Sequence, residues 1–366
     1  MSGHTRLVLD AHALAHNYRV LRRKTAPQTA FLGVVKAMAY GSDTLFVART
    51  LAQLGIDYLA VAYVPEGIAL REAGIHTPIL VLHPQLDQLD ELWNYCLEPS
   101  VYSFRVLQAL SARKEQLPIH IKLNTGLNRM GFEREDLAQL GQYLNQSPHL
   151  KRTGILSHLA ASEDPEQDQY TRGQLAEFTA MSDELAQLTG GFTYKHLCNT
   201  SGILRFPEAH FDLVRSGIGL YGYPNDVALE QEYIPSTYLY TVISQIHHLK
   251  PGNGIGYNRA EVAKQPMKIA TLPIGHADGI SRIYGLGKGG VWINDQWAPI
   301  VGNVCMDMIM VNVTDIECAE GDEVVVFDQK HRADRLAEGA GTISYELLTA
   351  LSRRIKRSYL PLEDSK

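Results

Sequence analysis

The chain has 366 residues, 45% hydrophobic and 20% charged, with a net charge of -6. That is the make-up of an ordinary globular protein too long for one typical domain. The charge offers no electrostatic footprint for nucleic acid, no apolar stretch reaches membrane-spanning length, and the N-terminus lacks the long apolar segment of a secretion signal. Four widely spaced cysteines (Cys96, Cys198, Cys305, Cys318) form no metal motif and fit a reducing cytoplasm.

From Phe31 to about Gly222 short apolar runs alternate with helical patterns. The runs are 31–36, 58–63, 78–82, 97–102, 119–124, 153–159, 194–199 and 212–218, and amphipathic stretches such as 44–54, 65–73 and 168–188 lie between them. Eight strands alternating with helices predict an α/β fold, a parallel (β/α)8 TIM barrel, over residues 1–232. A doubly wound open sheet is the competing reading. After Tyr233 strand-like runs follow one another without long helices, at 238–249, 268–273, 290–293, 299–304, 309–313 and 323–327. Turns such as Pro251-Gly-Asn-Gly254 and Asn294-Asp295 separate them. This predicts a mostly-β C-terminal domain over 233–366, with one late helix at 344–354.

Lys36 ends the apolar run Phe31-Leu-Gly-Val-Val35. At the C-terminal tip of a barrel strand a desolvated lysine loses its proton more readily and can form a Schiff base. Taken alone, the plainer reading, a strand-ending lysine whose ammonium simply reaches water, is the favoured one. Other polar residues recur at strand ends: Tyr40, Lys122 with Asn124 and Arg129, His158, His196 with Asn199 and Thr200, and Arg215. Barrel tips converge on one face, so these residues could share a site. The glycine-rich segment Phe211 to Gly222 follows a strand and could cradle a phosphate. An aldehyde cofactor bearing a phosphate would join that loop to Lys36.

Five ordered motifs carry a resemblance over essentially the whole chain: Val35-Lys-Ala-Met-Ala-Tyr-Gly41, Lys122-Leu-Asn-Thr-Gly-Leu-Asn-Arg129, Val214-Arg-Ser-Gly-Ile-Gly-Leu-Tyr-Gly222, Gly275-His-Ala-Asp-Gly279 and Cys305-Met-Asp307. The chain resembles the alanine racemases, pyridoxal 5′-phosphate enzymes that interconvert L- and D-alanine. The resemblance implies a cytoplasmic homodimer with shared active sites that supplies D-alanine for peptidoglycan, with no metal. Lys36 matches the cofactor-bearing lysine and one catalytic base. Tyr257 matches the opposite-face base, reaching the site of the other subunit. Arg215 matches the arginine facing the pyridine nitrogen, and Arg129 the one near the cofactor phenolate oxygen and the substrate. Tyr40, Thr200, Gly217, Ile218 and Tyr345 match phosphate contacts, and Asn199 a further cofactor contact. His158 and His196 match histidines linking the tyrosine to Arg215. Lys122, a position often carbamylated, and Asp307 match supporting residues, and Met306 a partner-subunit residue near the substrate carboxylate.

Racemisation needs proton removal on one face of the substrate and return on the other, so one base per face suffices. Lysine and tyrosine both have ordinary pKa values of about 10. Each must be lowered by neighbouring positive charge, or the amine by desolvation. Arginine is a pure donor, so Arg215 leaves a pyridine nitrogen unprotonated and the cofactor a weaker electron sink.

Several positions depart from the family pattern. Met38 and Ser42-Asp43 follow the lysine differently, Asn124 stands for a usual Asp, Thr200 for Ser and Ser216 for Pro. At the access to the site, where Arg282 also falls, Glu163 stands for Asp and His276 for Tyr. Substrate breadth is therefore open, with a serine or broad-specificity racemase as the first alternative. A diamine decarboxylase of the same fold type would face the pyridine with Glu, and a non-enzymatic pyridoxal-phosphate carrier would lack the β domain and Tyr257.

Overall fold

The computed structural model describes residues 5–362. The chain forms two compact units. Among the described residues one consists of Ala15–Ala39 and Thr44–Tyr233, the other of 5–14, Tyr40–Asp43 and 234–362.

The strand β1 (Arg6–Asp10) belongs to the second unit. The first unit is built on β2 (Ala30–Val34), β3 (Tyr58–Val61), β4 (Ile79–Val81), β5 (Glu98–Val101), β6 (Leu117–Lys122), β7 (Leu150–Leu156), β8 (Tyr194–His196) and β9 (Leu213–Ser216). They pair in parallel in the order β8-β7-β6-β5-β4-β3-β2-β9. The N–H of Asp212 donates to the Lys195 carbonyl and that of Arg215 to the Cys198 carbonyl, both at 3.2 Å. These bonds join the two end strands, so the eight expected strands form a barrel and not an open sheet.

The intervening helices form where the sequence supplies an apolar face and ends that can be capped. The helix Phe104–Ala112 buries Val106, Leu107 and Leu110, and the Ser103 hydroxyl accepts from the Val106 N–H at its start. The long helix Asp168–Thr189 stops at Gly190, whose φ of 89° is open to glycine at little cost.

The barrel interior is divided by chemistry. Leu32, Tyr58, Ala60, Leu80 and Leu213 pack together as one apolar cluster, with Ala30, Val34, Leu82 and Tyr194 against it. These positions alternate along their strands, as inward-facing residues must. At the corresponding positions of β5, β6 and β8 the sequence places Glu98, His120 and His196.

The second unit holds a nine-stranded sheet. Its further strands are β10 (Thr237–Val242), β11 (Gln245–Leu249), β12 (Gly254–Ile255), β13 (Glu261–Val262), β14 (Met267–Leu272), β15 (Gly290–Ile293), β16 (Gln296–Val301), β17 (Ile309–Asn312), β18 (Glu323–Phe327) and β19 (Lys356–Leu360). The large sheet runs β11-β14-β17-β16-β15-β18-β10-β1-β19, and β12 and β13 form a separate hairpin. Asn294 and Asp295, at φ 50° and 62°, make a two-residue turn between β15 and β16, as their types suggest.

Four features differ from the expectations. Residues 6–10, placed with the barrel from sequence, pair antiparallel with β10 and parallel with β19. Leu7 and Leu9 alternate as a strand should, but their partners lie more than 200 residues away and leave no local signal. The single run 238–249 is two strands broken at Ile243-Ser244. The late helix ends at Thr349, and Ser352 beyond it donates its N–H to the Asp278 carbonyl instead. The helix Ala333–Gly339 and the charged edge strand β19 have no counterpart in the sequence reading, because Lys356-Arg-Ser-Tyr-Leu360 shows no apolar alternation.

Candidate active site

Lys36 comes two residues after the end of β2 and opens a helical segment, Lys36–Gly41. From Ala37 to Gly41 every φ is positive, at 53, 55, 51, 57 and 81°, so this turn is left-handed. Each non-glycine residue in that conformation costs about 1–2 kcal/mol. The turn is held by its surroundings. Glu66 accepts the Ala37 N–H with Oε1 at 2.7 Å, and its Oε2 accepts from Ala62 and Tyr63. The Ala39 N–H donates to the Val35 carbonyl at 3.0 Å. A Cβ on Gly41 would lie 1.8 Å from the Leu348 carbonyl oxygen. Strain of this kind persists only where neighbours over-determine the backbone, and it concentrates at functional sites. Nothing in Ala-Met-Ala-Tyr signals it.

Within the barrel unit the side chain of Lys36 is half-buried, and burial and then the Arg129 charge lower its pKa, against an opposing pull from Glu66. A neutral amine is the form that attacks a carbonyl. Lys122, at the end of β6, is 9% exposed. Burial, then the charges of Arg215 and Arg129, hold its amine well below the ordinary value. Arg129 lies exposed on the loop that follows. Among the described residues none of Lys36, Lys122, Arg129 and Arg215 takes part in an ion pair. A cluster of cationic side chains without carboxylate partners is costly by itself and suits an anionic molecule.

Asn124 has a local explanation. Its amide donates to Asn128 at 2.9 Å and to the Glu133 carboxylate at 2.8 Å, while its oxygen accepts the Asn128 N–H. An aspartate here could not donate and would repel Glu133.

Arg215, on β9, is 4% exposed. Its Nη1 donates to Nδ1 and to the carbonyl of His196, both at 2.9 Å. Its Nη2 donates to the carbonyls of Ser157 (2.7 Å) and Leu197 (2.9 Å) and reaches His158 Nδ1 at 3.2 Å. Protein acceptors thus occupy both terminal nitrogens. The Nε–H is the remaining donor and has no protein acceptor among the described residues. It fits a ring nitrogen that offers a lone pair. Burial lowers the guanidinium pKa to about 10, which leaves it charged at neutral pH.

The two histidines do not play matching parts. His196 turns Nε2 to His120 Nδ1 at 3.0 Å, so both its nitrogens are committed inside the barrel. It cannot also link Arg215 to a tyrosine, and of the pair only His158 keeps a nitrogen for that purpose. Burial and the Arg215 charge hold both histidines well below the usual imidazole pKa, hence neutral. His120 Nε2 lies 3.0 Å from Glu98 Oε2, which the Tyr58 hydroxyl approaches at 3.4 Å. Glu98 and His120 escaped the sequence reading. A histidine in the apolar strand Leu-Pro-Ile-His-Ile-Lys, two residues before Lys122 and so on its face, was the available signal.

Asn199 caps the helix Thr200–Arg205, accepting from the Gly202 N–H at 2.9 Å and from Ser162 at 2.8 Å. Thr200 Oγ1 sits 3.0 Å from Ser216 Oγ and accepts the Gly219 N–H at 3.2 Å. A Cβ on Gly219 would meet Thr200 at 2.5 Å, so the glycine lets the loop carrying Gly217 and Ile218 approach this hydroxyl. Glu163 is exposed on the loop after β7.

The second unit carries the remaining candidates. The Tyr40 and Tyr345 rings lie 6.0 Å apart, and burial pushes the Tyr40 hydroxyl pKa well up, so it stays a donor. Tyr257 is 74% and Met306 60% exposed. Two motifs distant in sequence are knitted together: His276 and Ala277 donate their N–H groups to the carbonyls of Cys305 and Met306, both at 3.0 Å. Gly275 permits this, since a Cβ there would fall 2.4 Å from the Met306 oxygen. Arg354 ties the same segments, with Nε at 2.6 Å from Asp278 and Nη2 at 2.8 Å from Asp307. Asp307 thus supports the loop that bears Met306. His276 and Arg282 are exposed, and the Arg282 charge partly offsets the rise that burial imposes on the Cys305 thiol.

Comparison with known proteins shows the family and the fold. The family model for the alanine racemase N-terminal domain matches residues 9–225 and that for the C-terminal domain residues 237–359. A protein named alanine racemase 2 from Caldanaerobacter subterraneus subsp. tengcongensis is 36% identical over 97% of this chain and 95% of its own. The alanine racemase of Thermodesulfovibrio yellowstonii is 34% identical over the whole of both chains. Among solved structures, alanine racemase from Clostridium difficile 630 superposes with a TM-score of 0.91 at 32% identity, covering 99% of this chain and 97% of that one. Alanine racemase from Bacillus anthracis with bound L-Ala-P gives 0.90 at 28% identity, covering 99% and 96%. With both family models matched in order and the same fold over nearly every residue, this chain belongs to the alanine racemase family.

Proposed function

We propose that this chain interconverts L- and D-alanine with pyridoxal 5′-phosphate, as a cytoplasmic homodimer that supplies D-alanine for peptidoglycan. The observation that carries the reading is Arg215: a buried guanidinium whose terminal nitrogens are bound by neutral acceptors, with one donor left over beside a cluster of unpaired cationic groups. The bound cofactor would supply the aldehyde that takes up the substrate amine and the ring that acidifies its Cα–H. Lys36 would hold it, and Arg215 Nε–H would meet its ring nitrogen. Tyr40, Thr200, Gly217, Ile218 and Tyr345 would contact its phosphate, with Asn199 holding the helix that starts at Thr200.

Lys36 then moves the Cα proton on one face and Tyr257 of the partner subunit on the other. Two bases on opposite faces exchange the proton without the substrate turning over, and each needs to move a proton only a short distance. Arg129 balances the charge of the substrate carboxylate and, together with burial, lowers the Lys36 amine pKa. Met306 borders the substrate, and Glu163, His276 and Arg282 line its access. The exposure of Tyr257 and Met306 supports a role across a subunit interface, where each chain donates to the other's site.

A racemisation assay across the amino acids, with and without added pyridoxal phosphate, tests the reading. L-alanine should be turned over fastest and only with cofactor. Absence of racemisation for every amino acid in the cofactor-loaded dimer would refute it.

A further inference from the structure

The chain Arg215–His196–His120–Glu98–Tyr58 crosses the barrel interior from β9 through β8, β6 and β5 to β3. His120 and His196 are 0% exposed, and their rings meet edge to face with centroids 5.2 Å apart. The register pairs His120 with Gly154, and a Cβ at Gly154 would fall 2.0 Å from His120 Nδ1. The neighbouring strand gives up a side chain to admit this imidazole. Filling the space with apolar side chains, as on the β2–β4 side, would cost less than burying five polar groups.

The distances fix every proton. A guanidinium only donates. His196 Nδ1, 2.9 Å from Arg215 Nη1, must therefore be the bare nitrogen, and the His196 proton sits on Nε2. His120 Nδ1 must accept that proton at 3.0 Å, which puts the His120 proton on Nε2. At the far end an obligatory acceptor is needed, and the Glu98 carboxylate stands there at 3.0 Å. Reversing the chain would set His196 Nδ1–H against Arg215 Nη1–H. The Tyr58 hydroxyl also donates to Glu98, and burial and the Glu98 charge hold it protonated. Burial and the Arg215 charge likewise disfavour a second proton on His196.

We propose that Glu98 and His120 are positioning residues for Arg215: they terminate a one-way hydrogen-bond chain that keeps a lone pair on His196 facing Nη1 and so aims the Arg215 Nε–H. This rests on Arg215 facing the cofactor ring nitrogen. With the acceptor at Glu98 removed, the His120 Nε2–H is left unpaired in the core, and His120 can satisfy itself only by changing tautomer or turning its ring. Either change removes the acceptor for His196 Nε2–H and loosens the Arg215 guanidinium. Glu98 itself touches no reacting atom.

The test begins with the cofactor-free wild type. Nitrogen NMR of histidine-labelled protein at pH 7 should show His120 and His196 each bare at Nδ1 and protonated at Nε2. Either one found as the other tautomer, or as a cation, overturns the proposal without any variant. In Glu98→Leu the two histidines should show mixed tautomers. Its kcat should fall about tenfold, the worth of one hydrogen bond to a charged group, with KM changed less than about twofold. Glu98→Gln keeps an oxygen for His120 and should retain the wild-type tautomers and most of kcat. A Glu98→Leu enzyme that loses only thermal stability makes the chain mere filling, and a Glu98→Gln enzyme as slow as Glu98→Leu makes it a matter of charge. Either result refutes the positioning role. The tautomer measurement needs neither cofactor nor substrate, so its failure is distinct from a failure of the racemase reading.

Discussion

In the barrel unit Arg215 is 4% exposed and His196 not at all, whereas in the sheet unit Tyr257 is 74% and Met306 60% exposed. The contrast separates two ways of preparing a functional group. Burial among neighbouring cations lowers the pKa values of Lys36, Lys122, His158 and His196. Tyr257, Met306 and His276 stand exposed on the sheet unit. The first group forms a charge environment within one chain, and on the proposed reading the second would acquire its environment on assembly.

The sharpest way to break this contrast is to divide the two bases between chains. Lys36→Ala and Tyr257→Ala homodimers should each lose roughly 10³-fold or more in racemisation rate. When the two are refolded together, about half the dimers are mixed and half of their sites are whole, so about a quarter of wild-type activity should return. No recovery, with heterodimers verified by differential tags, would place Tyr257 outside the partner's site. Borohydride reduction of the loaded enzyme should fix the cofactor to the peptide containing Lys36.

Replacing the buried donor should cost less but reveal more. Arg215→Glu should slow racemisation about 100-fold and raise the share of turnovers that release pyruvate. A slower enzyme with unchanged pyruvate would remove Arg215 from control of the ring.

Gly41 sits where the left-handed turn meets backbone. Gly41→Ala should destabilise the protein by at least about 2 kcal/mol, read from urea denaturation, because its Cβ would fall on the Leu348 oxygen.

Lys122 sharpens the electrostatic half of the contrast. Burial and the Arg215 charge hold its amine pKa well below the ordinary value in the fold, whereas the unfolded chain keeps the proton up to about pH 10.5. Between the lowered folded pKa and that value the unfolded state holds more protons, so the stability of the cofactor-free protein should rise with pH. Lys122→Met should flatten this slope in thermal melts and raise Tm at pH 7. An unchanged slope would mean that the amine is charged and paired after all.

The smallest effect is expected at the exposed access. His276→Tyr should leave alanine turnover within about twofold while narrowing activity toward larger side chains such as serine. An unchanged substrate profile would take His276 out of specificity.

Some of these features are legible in one dimension. Eight apolar runs with polar residues at their tips predicted the barrel and its chemical face. The Gly-rich segment after β9 and the pairing of Asn294-Asp295 with a hairpin turn were equally visible, because each rests on local chemistry. Other features leave no local trace. β1 finds partners at both ends of the C-terminal segment, β19 is a charged edge, and Asn124 stands for aspartate because Glu133 lies opposite.

By itself the sequence determined the period of each strand, the residue types at the strand tips and hence the family and its chemistry, since these depend on side chains a few positions apart. Only the tertiary structure decided the handedness of the turn after Lys36, the division of labour between His158 and His196, and the line from Arg215 to Glu98. Those depend on which groups from distant strands meet away from solvent, where a buried donor must find its acceptor and only one arrangement of protons satisfies the line from Arg215 to Glu98.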